Sequence, residues 1–275
     1  MKTLKITLII LFFILLTILS QVGGIILLIW LLIYRSFNEK IKNIWIRKTS
    51  NILGFIAFYM IFNLLIIPPL ARLDGKVPLP MSKSGDLVPV TYWTAIFMRN
   101  YISVKGKESL ETISAQFAQK HPGIKVKYMD CNYPFCFDVK GKKNVWILEG
   151  LVPHLSHKGD KADIAFVYND DNGNPSNLTP TAIGYGSSVD PKKNEPRIPC
   201  DSWMYSFMYR NMPNSGYELN NIISTQLVKM FQKYTYDKIL IEKHLKVRFN
   251  LRGRFGIAGC NSVRHDDHFH VNLGE

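Results

Sequence analysis

An α+β fold is predicted: a small, mostly antiparallel sheet with flanking helices, preceded by N-terminal transmembrane helices. Three observations predict it. Two long charge-free apolar runs open the chain, at residues 6–34 and 52–71. Short alternating segments, such as His268-Phe269-His270-Val271-Asn272-Leu273, carry the period of half-buried strands. Between them lie segments with apolar residues at helical spacing, Glu108–Lys120 and Tyr217–Tyr234.

The N-terminal runs come first. About 20 apolar residues cross a bilayer, so 52–71 fits one span. The run 6–34 has 29 residues with Gln21-Val22-Gly23-Gly24 inside it, which fits one long tilted span or a re-entrant hairpin. A cleaved signal peptide is the competing reading, but the apolar run continues past any plausible cleavage point. The intervening 35–51 contains Arg35, Lys40, Lys42, Arg47 and Lys48 against Glu39 alone. Positive charge stays cytoplasmic, so this loop is expected inside and everything after Arg72 outside. Residues 1–71 are then a membrane anchor, 72–106 a linker and domain entry, and 107–275 the working domain.

In the exported part, Glu108–Lys120 places Leu110, Ile113 and Phe117 on one helical face and ends at His121-Pro122-Gly123. Strands are expected at Ile124–Asp130, Asp163–Tyr168, Lys238–Glu242 and His268–Leu273. Cys131–Lys143 is an aromatic-rich loop or hairpin. The Gly- and Pro-rich stretch Asn169–Pro199 is long enough to form a cleft wall rather than an idle loop. Tyr217–Tyr234 presents Leu219, Ile223, Leu227, Met230 and Phe231 inward.

Five of the seven histidines fall in two clusters with carboxylates, His154-Leu-Ser-His157-Lys-Gly-Asp160-Lys-Ala-Asp163 and His265-Asp266-Asp267-His268-Phe269-His270. Imidazole with carboxylate is the ligand set of a zinc ion with one open position. On a strand His268 and His270 share a face. One Zn²⁺ per chain is expected, held by His157, Asp163 and His270. His268 and His265 are the candidate catalytic groups, and His154 and Asp160 stand as supporting or alternative ligands. Asp266 and Asp267 either hold a histidine N–H or are solvated turn residues, the second being expected. His121 and His244 are taken as ordinary side chains. Trp203 and Tyr205 line the cleft or the core.

These motifs resemble the zinc peptidases that join lysostaphin-type enzymes, D-alanyl-D-alanine carboxypeptidases and hedgehog domains. The nearest type is the penicillin-insensitive murein endopeptidase. His154, His157, Gly159, Asp163, His265, His268 and His270 carry the resemblance, over about residues 124–273. The spacing from His157 to Asp163 is one residue shorter than the family's, which leaves Asp160 as the alternative ligand. The resemblance implies a peptidase cutting beside D-amino acids in peptidoglycan, with the first histidine of His268-x-His270 working next to the metal. An inactive zinc-containing wall-binding module, or another metal hydrolase such as an amidase, is the alternative.

The remaining composition fits this setting. Residues 72–275 hold 27 basic and 20 acidic side chains, a net of +7 within a chain total of +13. A basic exported domain suits anionic wall polymer or lipid head groups, and the topology excludes nucleic acid as a partner. The expected partners are the peptidoglycan peptide and, through the N-terminal helices, the lipid bilayer of a bacterial cytoplasmic (inner) membrane, with the domain on its periplasmic side. The four cysteines, Cys131, Cys136, Cys200 and Cys260, all lie in the exported part, where an even number points to disulfides. Cys200–Cys260 and Cys131–Cys136 are the expected pairs among three possible connectivities.

Overall fold

The computed structural model describes residues 2–38, 41–135, 159–187, 189–197, 215–235, 237–258 and 264–273. The architecture is mixed α and β, with apolar helices at the N-terminus.

The first apolar run folds back on itself. Helix α1 (Lys2–Ser20) and helix α2 (Gly23–Asn38) form a hairpin turned at Gln21, which adopts a left-handed φ of 64°. The close packing needs small residues. A Cβ on Gly24 would lie 2.2 Å from Thr17 Oγ1 and 2.8 Å from the Phe13 ring. Helix α3 (Ile44–Ile61) continues through a π-helical turn, Phe62–Ile66, into α4 (Ile67–Leu73). It packs along α2 through Trp30 Nε1, which donates to Asn51 Oδ1 at 2.8 Å, and Tyr34, whose hydroxyl donates to the Arg47 carbonyl at 2.6 Å. Two helical stretches, Thr3–Ser20 and Ile44–Leu73, are long and apolar enough to cross a membrane; the apolar part of α2, Gly23–Tyr34, is shorter. The third helix starts at Ile44, eight residues before the expected span.

Residues 72–106 carry regular secondary structure. Strand β1 (Lys76–Pro78) follows α4 after a two-residue turn and pairs antiparallel with β3 (Tyr101–Ser103). Lys76 is buried, and its ammonium donates to the Tyr133 carbonyl at 3.0 Å. Strand β2 (Leu87–Pro89) already belongs to the main sheet, and between them lies the short helix α5 (Tyr92–Ile96).

The main sheet has six strands, ordered β2, β4 (Val126–Tyr128), β5 (Lys161–Ala165), β10 (His268–Asn272), β8 (Ile239–Ile241) and β9 (Phe255–Ile257). Its centre is antiparallel, as expected, but both edges, β2–β4 and β8–β9, are parallel. A small hairpin joins β6 (Tyr168–Asn169) to β7 (Pro175–Ser176). Helices α6 (Val104–Lys120) and α7 (Asn221–Tyr234) cover one face of the sheet. Leu110, Ile113 and Phe117 from α6, and Leu227, Val228 and Phe231 from α7, meet Ile164, Phe269 and Val271 from the sheet in one core. Helix α6 begins four residues ahead of its expected start, because the Ser103 side chain caps it by accepting from the Gly106 N–H.

Cys131 is a free thiol, fully buried in the core, where the sequence suggested closure with Cys136. Burial pushes its pKa well up, so it stays a neutral apolar filler. Cys136, Cys200 and Cys260 lie outside the described residues, as do His154, His157, Trp203 and Tyr205.

A two-pronged ion pair ties 189–197 to helix α8 (Lys243–Arg248). Arg248 Nε and Nη2 donate to the Glu195 carboxylate at 2.8 and 2.5 Å. Arg248 holds the Glu195 pKa down to about 2, against 4.5 ordinarily. A depressed carboxylate stabilises the fold fully above about pH 4.5 and loses that contribution as pH falls through about 2. Glu195→Gln is therefore expected to lower the melting temperature at pH 7 and to change it far less at pH 2. Melts of both proteins across that range check this; an equal gap at both pH values would deny the pair its role.

Candidate metal centre

The site is built on two neighbouring strands. The β5–β10 register sets His270 opposite Asp163 and His268 opposite Ala165. Alternation sends Ile164, Phe269 and Val271 into the core, so Asp163, His268 and His270 emerge together on the other face. His270 Nδ1 and Asp163 Oδ1 face each other at 2.6 Å. His268 Nε2 lies 3.8 Å from Asp163 Oδ2. The His265 ring stacks at a tilt on His268, 4.6 Å between centroids. Asp160 is placed elsewhere: it precedes β5, and its carbonyl accepts from the Leu273 N–H. Three residues of strand, roughly 10 Å, separate it from Asp163.

His268 is completely buried. Its Nδ1 pairs with Asp267 Oδ1, while Nε2 is buried with no hydrogen-bond partner among the described residues. Asp267 is fixed in turn by the Gly186 N–H, at 2.5 Å on its other oxygen. Burial works against a charged His268 ring, but Asp163 and Asp267 outweigh it and lift the pKa to about 9. Asp266 and Asp267 are thus not solvated turn residues: both are buried. Asp266 pairs with Arg264, and burial beside Asp267 raises its pKa. His265 is held by Glu242, whose carboxylate accepts from the His265 N–H at 3.2 Å.

The 178–187 segment lies over this face of the sheet. The Tyr185 hydroxyl donates to Asp163 Oδ2 at 2.7 Å, and its ring meets His268 edge-on at 5.1 Å. Burial, with Asp130 and Asp163 nearby, pushes the Tyr185 pKa well up, which keeps it a donor. Behind Asp163, Asp130 forms an ion pair with Arg99 at 2.8 Å. Lys127, buried on the next strand, donates to the Leu178 carbonyl at 2.9 Å; burial lowers its pKa to about 7. His121 and His244 lie outside this cluster, bonded to Gln226 and to the Val189 carbonyl.

Sequence reasoning missed Tyr185, Arg99 and Asp130. The available signal for Tyr185 was its setting between Gly184 and Gly186, both at positive φ. A Cβ on Gly184 would come within 2.9 Å of Met129, so glycine lets the loop approach the sheet.

The donor chemistry suits zinc. Two ligand atoms on one tetrahedral ion stand roughly 3.3 Å apart, so Asp163 Oδ1 and His270 Nδ1 need less than about 1 Å of movement to share one. Among the described residues, no group of three or more histidine, cysteine or acidic side chains is placed to hold a metal. The expected third ligand, His157, lies outside them. No protein-family model matches the chain, and no curated protein is similar to it.

Proposed function

We propose that the chain is a membrane-anchored zinc peptidase that hydrolyses peptide bonds beside D-amino acids in peptidoglycan. One observation carries the reading: Asp163 and His270 are paired across β5–β10, and beside them His268, oriented by Asp267, turns toward Asp163 a buried Nε2 that makes no hydrogen bond among the described residues. The resemblance of the two histidine motifs to murein endopeptidases supplies the substrate class.

A zinc ion held by Asp163, His270 and His157 would acidify water and polarise the scissile carbonyl. The chain's own residues handle the proton. Asp267 on Nδ1 sets the His268 tautomer and aims Nε2 at the site. A cation held by Asp163 would weaken the attraction that keeps the proton on His268, leaving Nε2 free to act as a base. Nε2 takes a proton as water oxygen adds to the carbonyl carbon. It returns that proton to the leaving amine as the C–N bond breaks. Tyr185 and the Arg99–Asp130 pair hold Asp163 in orientation. An imidazole oriented by Asp267 beside the Asp163–His270 pair favours a hydrolase over a passive binding module. Purified protein is expected to bind about one zinc per chain and to release muropeptides from murein until a chelator is added. Zinc-loaded protein that releases nothing from murein or D-amino-acid peptides would return the binding-module reading.

The orientation follows from the helices. In sequence, the seven basic residues of 1–71 fall at the α1 start or between the last turn of α2 and the first turns of α3. Positive residues remain cytoplasmic, which supports a domain on the outer side of a bacterial cytoplasmic membrane. A reporter fused at Asn43 is expected to be active only inside the cell, and one fused after Arg72 only outside. The reverse pattern would overturn the localisation.

A further inference from the structure

Hydrogen bonds and apolar packing join the helices to the sheet domain. At the hairpin tip, Gln21 Nε2 donates to the Phe135 carbonyl at 2.8 Å, and the Phe135 N–H donates back to Gln21 Oε1 at 3.1 Å. The Tyr133 hydroxyl donates to the Ile18 carbonyl of α1 at 3.0 Å. Tyr59 of α3 and Asn63 of the π-helical turn donate to the carbonyls of Ala95 and Ile96 in α5. Ile26, Tyr59, Ile67 and Ala71 share an apolar cluster with Met98 and Tyr101. With β1 starting straight after α4, nothing here resembles a tether.

The same segments lead to the metal centre. The Asp163 N–H donates to the Asp130 carbonyl, Asp130 pairs with Arg99, and Arg99 lies over the Tyr133 ring. One strand spacing, three residues of chain and one tyrosine side chain separate Asp163 from α1, at most about 25 Å. The 30-residue stretch Ile44–Leu73 is about 45 Å long, against about 30 Å of hydrocarbon. Its outer flank stays apolar and exposed at Leu64, Leu65, Leu70 and Leu73, and α5 adds exposed Tyr92 and Trp93. Aromatic residues of this kind settle at the membrane–water interface.

Resting on the peptidase reading above, we infer that the site acts on a peptide carried by a membrane-anchored amphiphile and works at the bilayer surface. A site held this close cannot swing out to polymer lying away from the membrane. A substrate confined to the same bilayer reaches it at a raised effective concentration.

The test uses the full chain reconstituted with zinc in phospholipid vesicles. Three forms of one D-amino-acid-containing peptide are compared at equal total concentration: lipid-linked in the same vesicles, lipid-linked in separate vesicles, and soluble without its lipid. Isolated murein is the fourth substrate. The co-embedded form is expected to be cut at least about tenfold faster than the other two peptides, and faster than murein. Equal rates on co-embedded and soluble peptide, or preferred cutting of murein, overturn the inference and leave the peptidase reading standing. No cleavage of any of the four removes the peptidase reading and the inference with it.

Discussion

His268→Ala is expected to keep its zinc and to lose hydrolysis by about 10²–10⁴-fold, the usual worth of a positioned acid–base group. The separation of the two effects comes from the strand. His268 stands two residues before His270 on the same face, yet it is His270 that lies opposite Asp163 in the register. Asp267 occupies His268 Nδ1, leaving Nε2 for proton transfer. Zinc content by metal analysis and murein release by mass spectrometry, on the same preparation, read the two properties independently. Zinc lost with activity would make His268 a ligand. Zinc retained with full activity would pass the role to His265, stacked on it, or to His154.

Asp163→Ala is expected to empty the site and reduce hydrolysis to background. The loss exceeds the ~10–100-fold cost of removing a residue that merely supports a ligand. Asp163 meets His270 Nδ1 and the Tyr185 hydroxyl through its two oxygens, so its removal takes a carboxylate contact from both. Asp160→Ala is the matched comparison. It shortens an acidic side chain three residues away, off the pair, and is expected to leave zinc in place. Zinc retained in the Asp163 variant and lost from the Asp160 variant would reverse the ligand assignment.

What the sequence made legible was periodic. The alternation in His268–Leu273 placed both histidines on one face, and the apolar spacing in 108–120 found Leu110, Ile113 and Phe117 on the core side of α6. The charge-free runs marked the apolar helices. Pairing partners were harder to read. Whether a strand sits parallel or antiparallel at a sheet edge depends on contacts far along the chain, so the parallel β2–β4 and β8–β9 edges left no local trace. The same holds for Tyr185, which reaches Asp163 across 22 residues from a segment without periodicity. Asp267 was misjudged because adjacent acids beside a histidine suit a solvated turn equally well; only burial decides between the two. The 72–91 segment, with Pro78, Pro80 and Pro89, has the composition of a linker, yet proline is tolerated at the edge positions these short strands occupy.

Strand β10 carries an unusual double duty. Its five residues hold His268 and His270 on one side and Phe269 and Val271 in the core on the other, between two neighbouring strands. A slip of one residue would exchange the two sets, driving imidazoles into the core and a phenylalanine onto the face that carries Asp163. Point changes in β10 can therefore be graded in effect, but a single insertion or deletion within it destroys packing and chemistry together. Length variation compatible with this fold is therefore expected to be confined to the loops.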